Sequence, residues 1–148
     1  MESPSTSPNE MSTTVTVGFD ASEASIQATK WAIDNAQDGA LTVQIVMAYA
    51  AGDQNPQDAK LRNDLTLAAI DRACENIPVG RATVIHRAVA GDPVDVLLNS
   101  AEGSRLLVLG RHGVKSMIHS AMGSVGDTCA RMAACPVVIV PTPIERVA

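Results

Sequence analysis

Leu106-Leu-Val-Leu-Gly-Arg-His-Gly113, then Gly123-Ser124, then Cys135-Pro-Val-Val-Ile-Val-Pro141, is the stretch that decides how this chain folds. The aliphatic runs 105–109 and 136–140, each bounded by Gly or Pro, read as buried strands. Between them lies a loop spaced by Gly110, Gly113 and Gly123. Glycines there let the main chain turn sharply and bring its N–H groups close to a ligand. A helix opening at Gly123-Ser124 points its free N–H groups and positive dipole end at that loop. Such a place is an anion site, and phosphate is its usual occupant.

Working outward, the same alternation recurs upstream. Thr13–Phe19 is β-branched and predicts a first strand ending at Asp20. Ser22 or Asp20 can cap the helix that follows, whose apolar face carries Ala24, Ala28, Trp31 and Ala32 and which Asp38-Gly39 ends. Leu41–Tyr49 predicts strand two, and the Gly, Asn and Pro content of Ala51–Gln57 predicts a loop. A helix from Asp58 to Asn76 follows, with Leu61, Leu65, Ala69 and Ala73 stepping by four and Ile70 and Ile77 beside them. Arg81–Val89 predicts strand three. Asp92-Pro93 predicts a helix start, Val94, Leu97, Leu98 and Ala101 its buried face, and Gly103 its stop. Pro141 and Pro143 break the chain after strand five.

The chain has 148 residues, so one domain over 13–143 is expected, with tails at 1–12 (Ser- and Pro-rich, read as disordered) and 144–148. Only Phe19, Trp31 and Tyr49 are aromatic, so the core is aliphatic, which suits a parallel sheet buried on both faces. The formal charge of −5 disfavours nucleic acid and anionic membrane as partners. No apolar run approaches the roughly 18 residues that cross a bilayer. Glu2 and the lack of an apolar run behind it predict no secretory signal. Cys74, Cys129 and Cys135 lack Cys-x-x-Cys spacing and read as reduced thiols of a cytoplasmic protein.

The motif Gly-x2-Gly-x9-Gly-Ser between a strand and a helix resembles the nucleotide loop of ATP-binding universal stress proteins. Val17-Gly-Phe-Asp-Ala-Ser22 resembles that family's first strand and turn, Gly91-Asp-Pro93 its turn into the third helix, and Cys135-Pro-Val-Val-Ile-Val140 its last strand. Together these pieces cover roughly residues 13 to 141. The resemblance implies a Rossmann-like, doubly wound α/β fold of the adenine nucleotide alpha hydrolase type. Its five-stranded parallel sheet would run in the order 3-2-1-4-5, with helices on both faces. Ligands in such sheets sit beyond the carboxyl ends of the strands, where strand order reverses; here that is between strands one and four.

The resemblance further implies ATP as ligand, accompanied by Mg or Mn, with AMP or cyclic AMP as the alternatives that the departures named below leave open. It implies nucleotide contacts from Asp20, Ala48, Gly110, His112, Gly113, Gly123, Ser124 and Val125, with Asp20 helping to hold a metal through the phosphates. It implies a homodimer joined through strand 136–140. Bland readings stand beside these: Asp20 as a helix cap, Ala48 as strand core, Gly113 as a turn, Ser124 as a cap, Arg111 and His112 as loop surface. Two departures weaken a tightly held triphosphate: Gly126 stands where nucleotide-binding members carry another hydroxyl, and Lys115 and His119 are the only cationic residue types between Gly113 and Gly123.

Other chemistries lack their signatures. Gly113-Val-Lys-Ser116 is not a Gly-Lys-Ser/Thr phosphate loop, no Gly-x-Gly-x-x-Gly follows strand one, and His86, His112 and His119 have no ligand spacing. No serine elbow and no cysteine beside a base is present, so hydrolysis is at most slow. Three functions remain open: a regulatory stress-response module that binds an adenine nucleotide, a nucleotide-independent homodimeric scaffold, and a very slow ATPase.

Overall fold

The computed structural model describes residues 12–52, 55–111 and 121–142, with the side chains of 121–124 outside that description. The expected tails, apart from Ser12, and the loop residues His112 and Gly113 therefore lie outside the described residues. Strands and helices alternate: β1 (Thr14–Gly18), α1 (Glu23–Asp34), β2 (Thr42–Tyr49), α2 (Pro56–Cys74), β3 (Thr83–Ala90), α3 (Pro93–Ala101), β4 (Leu106–Arg111), α4 (Ala121–Met132) and β5 (Val137–Pro141). The strands form one parallel sheet in the order β3-β2-β1-β4-β5. Val17 of β1 sits level with Ile45 of β2 and Val108 of β4, so the three central strands present their branched side chains in rows. This is the open, doubly wound α/β arrangement.

Period-two alternation divides the strand residues between two cores. Val15, Val17, Val43, Ile45 and Val108 face α1 and α2, where Ala28, Ala32, Ile33 and Ile70 meet them. Val46, Leu107 and Leu109 face α3 and α4, where Val96, Leu97, Val125 and Cys129 close the second layer. Burial pushes the thiols of Cys74, Cys129 and Cys135 above their ordinary pKa, with nearby Asp71 adding to the effect at Cys74. All three are free thiols, and a raised pKa makes each a poor nucleophile at neutral pH.

Several sequence expectations are corrected. Leu61 and Leu65 are 55% and 61% exposed, and Thr66 and Ile70 are the buried residues of α2. The helix is turned by Asn63, whose amide donates to the Ala88 carbonyl (3.1 Å) and the Tyr49 hydroxyl (3.2 Å). α2 starts at Pro56, inside the expected loop, because Asn55 caps it by accepting from the Gln57 N–H. β3 alternates between exposed and half-buried residues, with Ile85 42% exposed, so this edge strand is not covered on both faces. β4 runs on through Gly110 to Arg111, and β5 includes Pro141, paired with Arg111. An edge strand tolerates Pro because the missing N–H faces outward. Finally, α4 begins at Ala121, so Gly123-Ser124 lie within its first turns and do not open it.

Candidate functional site

The cleft at the strand-order reversal is built by short-range capping. β1 ends at Gly18, and the ladder continues one step as the Phe19 N–H donates to the Val46 carbonyl at 2.9 Å. The chain then turns into α1. Ser22 caps that helix, its hydroxyl accepting from the Ser25 N–H at 3.2 Å. Asp20 shapes the turn: its carboxylate accepts from the Ser22 N–H at 2.9 Å, while its own N–H donates to the Ser25 hydroxyl at 3.3 Å. Capping falls to Ser22, which leaves the exposed Asp20 carboxylate at the rim.

Ala21, between them, sits at φ 67°, a left-handed conformation that side chains rarely adopt. An L-residue there costs about 1 kcal/mol, partly offset by the extra unfolded-state freedom of glycine. Ala21→Gly should therefore stabilise the fold by about 0.5 kcal/mol, read as a rise of about 1–2 °C in Tm. A fall in Tm would show that the methyl group is held by packing that outweighs the strain.

Across the cleft, the Gly91 N–H donates to the Tyr49 carbonyl at 2.9 Å and turns the chain into α3. Asp92 caps α3, its carboxylate accepting from the Val94 and Asp95 N–H groups, and Pro93 takes the first helical position. These turns bring Phe19, Asp20, Val46, Ala48, Pro93, Leu97 and Val125 around a cavity of about 100 Å³. Its walls are apolar, and among the described residues Asp20 is the only ionisable group lining it.

Of the expected contact residues, Asp20, Ala48 and Val125 meet in this cavity. Gly110 does not. It lies buried in β4, where an added Cβ would stand 2.2 Å from the Ala24 carbonyl oxygen. Its absent side chain admits the first turn of α1 against β4. Gly123 is the third residue of α4, so its N–H remains among those without an intrahelical acceptor. Ser124 is one residue further in, past the capping position. A Cβ on Gly126 would meet only Ile139 among the described residues, at 4.0 Å, so that position faces β5. Among the described residues no cluster of three or more metal-ligating side chains exists. Pro93, Leu97 and Phe19 line the cavity although the sequence marked them only as cap-adjacent, core and strand.

The profile of the universal stress protein family matches residues 11–141. The chain belongs to that family. A universal stress protein crystallised in complex with cAMP is 31% identical to it, with a TM-score of 0.64 over 89% of this chain and 98% of the other. An Arabidopsis thaliana member of the universal stress protein family, crystallised with AMP bound, shares the fold at 21% identity and a TM-score of 0.61, covering 92% of this chain and 96% of the other. A universal stress protein of Mycobacterium tuberculosis is 25% identical over 139 residues, which is 90% of this chain and 50% of that protein. The chain thus spans about half the length of the curated relatives it matches. Among the described residues no helix is long and apolar enough to cross a membrane.

Proposed function

We propose that this universal stress protein binds an adenine nucleotide in the cleft between β1 and β4 and acts as a cytoplasmic regulatory module without a catalytic step. The observation that carries this reading is the convergence of Asp20, Ala48 and Val125 on one apolar cavity beyond the carboxyl ends of β1 and β2, beside the strand-order reversal. Apolar walls suit a purine face. The rim carboxylate of Asp20 suits a ribose hydroxyl donor, and the positive end of α4 suits phosphate. The family member solved with cAMP supports the ligand class. ATP, with Mg or Mn held through its phosphates beside Asp20, is the fuller form of this proposal.

Thermal melts with cAMP, AMP and ATP test it. A ligand at a hundredfold excess over its Kd stabilises by about 2.7 kcal/mol, which raises Tm by about 5–10 °C for a chain of this size. Asp20→Ala should reduce that rise. No rise with any of the three at millimolar concentration overturns the proposal.

Edge strand β5 supports a second reading, a homodimer formed independently of nucleotide. Ile139 is 40% exposed on it, and an aliphatic edge offers unpaired backbone groups to another strand.

A further inference from the structure

The second helical layer stops short of the sheet edge. α3 lies against β2 and β1 and α4 against β4 and β5, while β3 keeps Ile85 exposed on that side. Between α3 and β3 runs a groove of about 540 Å³, within the range of about 300–1,000 Å³ that small-molecule sites occupy. It is distinct from the cleft described above. α3 separates the two, turning Pro93 and Leu97 to the cleft and Asp95, Asn99 and Glu102 to the groove.

The sheet beneath the groove holds a row of buried polar side chains where the rest of the layer is aliphatic. Thr16 is fully buried, Ser104 is 2% exposed and Gln44 8%. The Thr16 and Ser104 hydroxyls lie 2.7 Å apart. The Gln44 amide donates to Thr16 Oγ1 at 3.0 Å and to the Ser100 carbonyl at 3.3 Å. This fixes its carbonyl end, Oε1, which accepts from Arg87 Nη1 at 3.0 Å. A buried polar row gains nothing in stability over apolar residues of similar shape. What it does accomplish is to hold one face of the Arg87 guanidinium at the groove floor. Among the described residues Arg87 has no carboxylate partner, so the rest of its planar donor fork remains available.

A guanidinium presented in this way recognises a carboxylate or phosphate. The opposite wall selects between them. Asp95 on α3 and Glu102 at its C-cap repel a dianion and attract a cation, and Asn99 stands between them. We propose that the groove is a second small-molecule site for a zwitterion of amino-acid type, with its carboxylate on Arg87 and its ammonium along the Asp95–Glu102 wall. Gln44 is the positioning residue.

The test is an NMR titration of the ¹⁵N-labelled full chain with L-lysine, and separately with acetate and with pentane-1,5-diamine, each carrying half of the recognition. L-lysine should give saturable shifts centred on Arg87 and Asn99, with affinity about tenfold above either half-ligand. Arg87→Gln should lower L-lysine affinity about tenfold or more, with a modest fall in Tm because the buried Gln44 Oε1 loses its charged donor. Gln44→Met should weaken L-lysine binding by loosening the guanidinium, and Asp95→Asn should weaken L-lysine but not acetate. Absence of saturable shifts at tens of millimolar L-lysine, an Arg87→Gln protein that binds as well as the parent, or diamine binding as tight as L-lysine would each overturn the proposal. Nucleotide melts of the same variants report on the β1–β4 cleft separately, so the two readings can fail independently.

Discussion

Gly110→Ala is expected to cost about 3 kcal/mol, read as a fall of about 6–12 °C in Tm. The reason is the identity of the atoms in the way. An added Cβ at Gly110 would lie 2.2 Å from the carbonyl oxygen and 2.4 Å from the carbonyl carbon of Ala24. Both belong to the main chain of the first turn of α1, which cannot rotate aside. The helix must lift from β4, and with it the Ser22 cap and the turn that holds Asp20. Two other glycines calibrate the effect. At Gly18 an added Cβ meets Leu109 Cδ2 at 2.5 Å and Leu97 Cδ1 at 2.9 Å, ends of flexible side chains that can repack for about 1–2 kcal/mol. At Gly103 no atom of the described residues lies within 4 Å, and the cost is the φ of +80° alone, about 1 kcal/mol. The expected order of destabilisation is Gly110, then Gly18, then Gly103. Chemical denaturation of the three alanine variants measures it. If Gly103→Ala proves the most costly, close backbone approach is not what Gly110 provides.

That glycine also marks where sequence reading reached its limit. Its place at the end of β4 was legible, because an aliphatic run stops there. Whether its bare Cα faces a ligand or a helix backbone depends on how α1 packs, which no local pattern records. The alternation of aliphatic runs with capped helices was plain for the same reason that the elements form: Ser22 and Asp92 are strong caps, and Pro93 is preorganised for a first turn. Strand order came from resemblance alone, since all-parallel strands joined by helices admit several orders.

α2 shows a different failure. Its sequence offers a broad apolar face whose two edges run through Leu61 and Leu65 and through Ile70 and, just past its end, Ile77. Periodicity cannot rank them. Packing at the sheet edge leaves room for one narrow stripe, and the Asn63 bond to the Ala88 carbonyl settles which. The exposed face of β3 has a related origin. Composition predicted a sheet buried on both faces, yet two short helices do not reach the third strand. The polar residues Gln44, Arg87 and Thr16 are spread over three strands, so their association in one network appears only when the strands are laid side by side.

Ala48→Phe is expected to lower nucleotide affinity about a hundredfold or more, equivalent to about 2.7 kcal/mol, while the folded chain persists. Ala48 is half-buried near the end of β2 and belongs to the cleft wall, with Leu97 and Val125 among the other lining residues. The space they enclose is about 100 Å³, so a benzyl group at 48 takes the volume that a purine would enter. Its rim is open, so the larger side chain fills the cleft instead of being forced into packed core, and the expected stability cost is small. The same argument gives the sign for the ligand series. If the base occupies the cleft, then cAMP, AMP and ATP lose affinity together, because all three share the adenine. If phosphate at the α4 terminus dominates binding, Ala48→Phe spares ATP and weakens cAMP, which carries the least phosphate charge. Calorimetric titration of the variant with all three nucleotides separates these outcomes. Undiminished binding of all three would place the adenine outside the β1–β4 cleft.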